Sequence, residues 1–146
     1  MEVYVPAIKE DCPAASALSV EGVDFHLALM WDDLGYGTLL SYLWTVGESF
    51  IVLEHDVVPF PGALDSLGSC SEEWCVHRYA RAPNSLHYAL GCMKVSDSLI
   101  DKTKDLPERY SWQETKWSQL DGKVYPGLLE VIKEPHIHEP PLAHVK

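Results

Sequence analysis

Glu54, His55 and Asp56 follow directly on the apolar run Phe50-Ile51-Val52-Leu53, and Val57-Val58-Pro59 closes the stretch. That apolar run, with its β-branched centre, makes a short buried strand, so the two acids and the imidazole arrive where the strand ends. In an open α/β sheet the carboxyl ends of the strands are where ligands bind. A carboxylate in such a place is costly unless it is paired or holds a metal. A hard divalent cation with a phosphate on its other side meets that need. The plainer alternative is a polar turn that happens to be acidic.

Further candidates lie toward the C-terminus. His136 and His138 alternate with Ile137, so in an extended segment both imidazoles face the same way. His144 follows the rigid Pro140-Pro141 pair. Two imidazoles on one side of a strand can share a metal, or one can bind it while the other takes a proton. The alternative is a solvated polar tail, against which stand Ile137, Leu142 and Val145 as anchors to the body. In Trp117-Ser118-Gln119-Leu120-Asp121 an acid follows a tryptophan by four residues and shares its helical face. That suits a surface acid beside a core tryptophan or an acid at the wall of a pocket.

The elements that must carry these groups alternate between strand and helix patterns. Glu2 to Ile8 reads as a first strand, Ala14 to Val20 as a turn or two of helix, and Asp24 to Trp31 as a second strand. Leu39, Leu40, Leu43 and Val46 share a helical face, which Gly47 terminates before the strand at Phe50. Strand, helix and strand with short joints form a βαβ unit with parallel strands. Pro61 to Leu67 reads as a short helix, Glu73 to Ala80 as a strand, and Tyr88 to Val95 as another. Ser96 caps a helix over Asp97 to Lys102, and Thr103 to Tyr110 is a charged loop. Trp112 to Leu129 shows a helix face interrupted by Pro126-Gly127. The tail begins as a strand at Glu130 and ends as a proline-stiffened arm.

Composition narrows the function classes. The 146 residues, 47% of them hydrophobic, suit one domain with a real core. A formal charge of −11 argues against nucleic acid or an anionic membrane as partner, though one cation can reverse the field at a phosphate site. No apolar stretch is long enough for a membrane span. Cys12, Cys70, Cys75 and Cys92 are too scattered for a disulfide scaffold and read as buried thiols in a reducing cytoplasm. Cys70, Cys75 and His77 have the makings of a metal cluster, at the wide edge of zinc spacing and without a second close pair.

Taken together, four segments resemble motifs of the GT-A-type glycosyltransferases, in that family's order. Glu54-His55-Asp56 looks like its Asp-x-Asp region, with Glu54 at the first position. Ala89-Leu90-Gly91-Cys92-Met93-Lys94 resembles its glycine loop near the donor sugar. Trp117 to Asp121 is similar to its Trp-x-x-(Glu/Asp)-Asp segment, with Leu120 where an acid is usual. Pro135-His136-Ile137-His138, with His144 beyond, resembles its C-terminal metal-binding histidine.

The resemblance implies an α/β fold over residues 1–146: a single-domain three-layer sandwich with a mostly parallel, Rossmann-like central sheet. It implies a metal-dependent transfer of a sugar from a nucleotide-diphosphate donor to an acceptor hydroxyl of unknown identity. Asp56 would ligate Mn²⁺ or Mg²⁺, with His138 first and His144 next as its partner. Glu54 would reach the ribose or the metal through water, and Asp32 the base or ribose. Tyr36 and Gly37 would line the same crevice, Gly91 would let backbone approach the sugar, and Asp121 would act as base. A metal-dependent phosphoesterase using Asp56 with His136 and His138, and a non-catalytic nucleotide- or protein-binding domain, are the competing readings. Five tryptophans in so short a chain also admit burial between subunits of a homo-oligomer.

Overall fold

Strand β3 (Phe50–Leu53) is buried along its whole length because it is apolar on both faces. Phe50 and Val52 enter one apolar cluster, and Ile51 and Leu53 enter another, as the two-residue period of a strand requires. The computed structural model in which this is seen describes residues 1–82, 85–87 and 90–145. On one side of β3 lies β1 (Glu2–Ala7), and beyond it β2 (His26–Leu29), both parallel. On the other side β7 (Cys92–Val95) runs antiparallel, and β5 (Trp74–Ala82) runs antiparallel to β7. Next comes β8 (His136–His144), parallel to β5, and then β4 (Val57–Val58), antiparallel to β8. The order is β2-β1-β3-β7-β5-β8-β4, with β6 (Ser85–His87) pairing β5 off this path.

The sheet is therefore mixed, which corrects the expectation of a mostly parallel one. Hydrophobic periodicity reports which faces of a strand are buried and carries no record of its direction. The parallel part, β2-β1-β3, is where the strand–helix–strand pattern was readable, with α1 (Pro13–Glu21) and α2 (Gly35–Val46) as its helices.

Helices cover both faces. The cluster holding Phe50 and Val52 also takes Tyr36, Leu40 and Leu43 of α2, Leu99 and Ile100 of α4 (Asp97–Lys102), Leu106 of α5 (Leu106–Arg109) and Val124 and Leu128 of α6 (Asp121–Leu129). The opposite cluster takes Ala14, Ala15 and Leu18 of α1 with Ala63, Leu64 and Leu67 of α3 (Ala63–Gly68). Ser96 caps α4 as expected, its side chain accepting from the Leu99 N–H at 3.2 Å. Gly47 ends α2 at φ 78°, a left-handed conformation that glycine adopts without penalty.

Several expectations change. Thr103 to Tyr110 is not only a charged loop: Leu106 is buried and anchors the turn α5. Trp112 to Leu129 divides into 3₁₀ turns at Trp112–Glu114 and Trp117–Gln119 before α6, which contains Pro126. The tail is not an arm, because β8 is part of the sheet and buries Leu142. Cys70 and Cys75 are not separate thiols: a disulfide joins them, while Cys12 and Cys92 are free and buried. The strand expected from Tyr88 is described from Cys92; Tyr88 and Ala89 lie outside the described residues. Among the described residues no helix is long and apolar enough to cross a membrane.

Candidate active site

The chain past β3 turns at once. The Val57 N–H donates to the Glu54 carbonyl at 3.1 Å, which puts His55 and Asp56 at the corner of a tight turn. Val57 then pairs with His144 of β8, and the Asp56 carbonyl accepts from the Val145 N–H at 2.8 Å. This backbone pairing sets the side chains face to face, with Asp56 Oδ2 2.9 Å from His144 Nε2. Both are largely sheltered, with side-chain exposures of 26% and 12%.

The pair borders a cavity of about 360 Å³ whose wall also includes Tyr36, Glu54, Tyr79, Leu90, Trp117 and Asp121. Each of these is fixed by a contact. The Trp117 indole N–H donates to Glu54 Oε1 at 3.2 Å, and its ring stands edge-on to Tyr36 at 5.0 Å between centroids. Asp121, first residue of α6, accepts the Leu90 N–H on Oδ1 at 3.0 Å, and the Tyr36 hydroxyl donates to the Leu90 carbonyl at 3.1 Å. The Gly91 carbonyl accepts from the Glu54 N–H at 2.9 Å. The Leu90-Gly91 backbone therefore ties α2, α6 and the end of β3 to one another. Burial, with the nearby Glu54 and Asp121 carboxylates, pushes the Tyr36 hydroxyl well above the usual tyrosine range, so it remains a neutral donor.

The sequence candidates thus separate. Tyr36, Glu54, Asp56, Asp121 and His144 share the cavity. His138 does not line it: it stands at the other end of β8, paired with His77, and its ring lies 4.9 Å from that of His136 and 5.8 Å from that of His77. A site combining Asp56 with His136 and His138 has no basis in this arrangement. Asp32 is exposed and caps the turn into α2, accepting from the Leu34 N–H at 2.9 Å. Gly37 faces away from the crevice: a Cβ there would lie 1.9 Å from the Trp112 carbonyl oxygen, so this glycine lets α2 press against that turn. A Cβ on Gly91 would lie 2.3 Å from the Tyr79 ring, so the close approach it permits is that of Tyr79, which lines the cavity.

Tyr79 and the Leu90 backbone were not among the sequence candidates. The available signal for Tyr79 was its two-residue spacing from Cys75 and His77 along β5, which puts all three on one face.

Two features make the cavity a fit for a divalent cation. Asp56 and His144 are joined by a 2.9 Å hydrogen bond, which brings a carboxylate oxygen and an imidazole nitrogen, donor types that manganese accepts, to one rim of the cavity. The cavity wall also carries Glu54, Asp56 and Asp121 and, among the described residues, no lysine or arginine. An anionic ligand needs a cation to enter such a place. A larger cleft of about 850 Å³ between α2 and α4–α5 is lined by Asp97, Asp101, Glu108 and Glu114 with Lys104. No histidine or cysteine lines it among the described residues.

No family model matches the chain, and no curated protein matches it. Solved structures do. A glycosyltransferase involved in the glycosylation of the major capsid of PBCV-1 aligns with a TM-score of 0.54 at 13% identity, covering 95% of this chain and 81% of that one. The protein A197 from STIV aligns with a TM-score of 0.52 at 11% identity, covering 70% and 68%. The chain therefore shares its fold with a glycosyltransferase, and at these identities the likeness extends to fold alone.

Proposed function

We propose that this chain is a metal-dependent glycosyltransferase that takes a nucleotide-diphosphate sugar as donor and passes the sugar to an acceptor hydroxyl. Asp56 and His144 would hold Mn²⁺ or Mg²⁺, and an imidazole among the ligands favours manganese. When bound, the cation neutralises charge that develops on the leaving diphosphate. Glu54, oriented by the Trp117 indole, faces the donor's ribose or the water around the cation. Asp121, steadied by the Leu90 N–H, takes the proton from the acceptor hydroxyl. The neutral Tyr36 holds the Leu90 backbone that steadies it.

The observation that carries this reading is the Asp56–His144 pair, 2.9 Å apart at the rim of an acidic cavity beyond a sheet strand. The fold shared with a glycosyltransferase is in keeping with sugar transfer. Thermal-shift measurements with UDP, GDP and their sugars, with and without Mn²⁺, test it. A ligand at one hundred times its Kd stabilises by about 2.7 kcal/mol, a rise of several degrees in Tm. The expected rise requires both nucleotide and metal, and Asp56→Ala removes it while keeping the fold. A Tm unmoved by every nucleoside diphosphate in manganese contradicts the proposal, and stabilisation by metal alone favours a hydrolase or structural site.

A further inference from the structure

A second group of metal-ligating side chains lies outside the cavity. Cys70, two residues beyond α3, and Cys75 on β5 sit beside His138 of β8. The two sulfurs and a ring nitrogen of His138 all lie within 4.8 Å of one another. A tetrahedral zinc ion, with bonds of about 2.3 Å to sulfur and 2.0–2.1 Å to nitrogen, holds such donors about 3.6–3.8 Å apart. Opening the disulfide lets the two sulfurs move apart toward that spacing, with the His138 nitrogen already within 4.8 Å of both.

Other features point to a ligand. His138 Nε2 is buried with no hydrogen-bond partner, and so is Nδ1 of the adjacent His77. A buried polar atom left unpaired costs free energy that a coordinated ion would recover for His138. The loop that presents the cysteines is also held without help from the disulfide. Lys94 Nζ donates to the Cys70 carbonyl at 2.5 Å and to the Glu72 carbonyl at 3.1 Å. The thiols would stay close together after reduction.

We propose that Cys70, Cys75 and His138 form a zinc site when the Cys70–Cys75 disulfide is reduced. A dithiol reductant delivers two electrons and two protons to the disulfide and is itself oxidised to a disulfide, leaving two thiols. Zinc then displaces both thiol protons to solvent and binds two thiolates and the neutral imidazole, with the fourth tetrahedral position left to water. Disulfide and zinc are thus mutually exclusive occupants of one place. The site is independent of the nucleotide-sugar reading, because none of its ligands lines that cavity.

The test uses the full chain, reduced with a phosphine so that no added thiol competes for metal, and titrated with Co²⁺ and then Zn²⁺ in the absence of oxygen. The expected result is one equivalent bound, with thiolate-to-cobalt charge-transfer absorption that zinc abolishes. The oxidised chain shows no such band. Cys70→Ser loses most of the band, and His138→Ala keeps it while weakening binding by roughly 10- to 100-fold or more. A second readout needs no variant: in the reduced wild type, zinc protects Cys70 and Cys75 from alkylation, located by mass spectrometry. Reduced protein that binds no cobalt, a Cys70→Ser variant with an unchanged band, or alkylation of both cysteines unaffected by zinc overturns the proposal.

Discussion

Asp56 and His144 are 88 positions apart in sequence and 2.9 Å apart in space. The acid was legible because a fully apolar strand runs straight into it. The choice between His138 and His144 was not, since both follow extended, proline-bearing sequence and only the register of β8 on β4 and β5 decides it. Asp121 admits a clean substitution. Asparagine keeps a carbonyl to accept the Leu90 N–H but cannot take a proton, so Asp121→Asn is expected to bind donor normally and lose transfer. Full transfer activity in that variant rules out its role as base. Gly37 looked like a crevice residue, yet the Trp112 carbonyl fills the space where its side chain would be. Gly37→Ala is therefore expected to destabilise by about 2–3 kcal/mol, the scale of overpacking a tight contact. Denaturant unfolding checks this, and a loss well under that scale would return Gly37 to the list of open crevice positions.

Among the elements, strands and helices with simple periods were readable and those stabilised by distant contacts were not. The pattern marks β3, α2 and the Ser96-capped α4 by apolar spacing and end signals. It does not mark α5, where Leu106 alone is buried within a charged stretch. Nor does it mark β8 as a sheet strand over its whole length, because Pro140 and Pro141 argue against a hydrogen-bonded interior. The anchoring of α4 gives a pH prediction. Glu73 accepts from Lys102 Nζ at 2.8 Å and from Ser98 Oγ at 2.8 Å. The Lys102 hydrogen bond first, and that of Ser98 next, hold its carboxyl below the ordinary glutamate value of 4.5. A carboxyl with a lowered folded pKa contributes stability that is complete above its unfolded pKa and vanishes as pH falls through the folded one. Glu73→Gln should cost about 0.5 kcal/mol at neutral pH. The two melting curves should converge on acidification, and a constant gap at every pH would show that the charge is not responsible.

For the whole molecule, one mixed sheet spreads its chemistry along β8. At its far end His144 meets Asp56 beside the acidic cavity, and near its start His138 meets Cys70 and Cys75. The net charge of −11 works against binding to polyanions by surface attraction. In the proposed function, a cation at Asp56 would be the condition on which an anionic donor enters. That strand direction and pairing order were not readable follows from the same cause as the histidine choice: neither is a local property of the chain. Crystals grown or soaked with manganese and a nucleoside diphosphate, measured where manganese scatters anomalously, test the central claim most directly. The expected result is one anomalous peak touching Asp56 and His144 at about 2.0–2.3 Å, with diphosphate oxygens on its other side. A bound nucleotide with no manganese at that pair, or manganese only elsewhere on the protein, contradicts it.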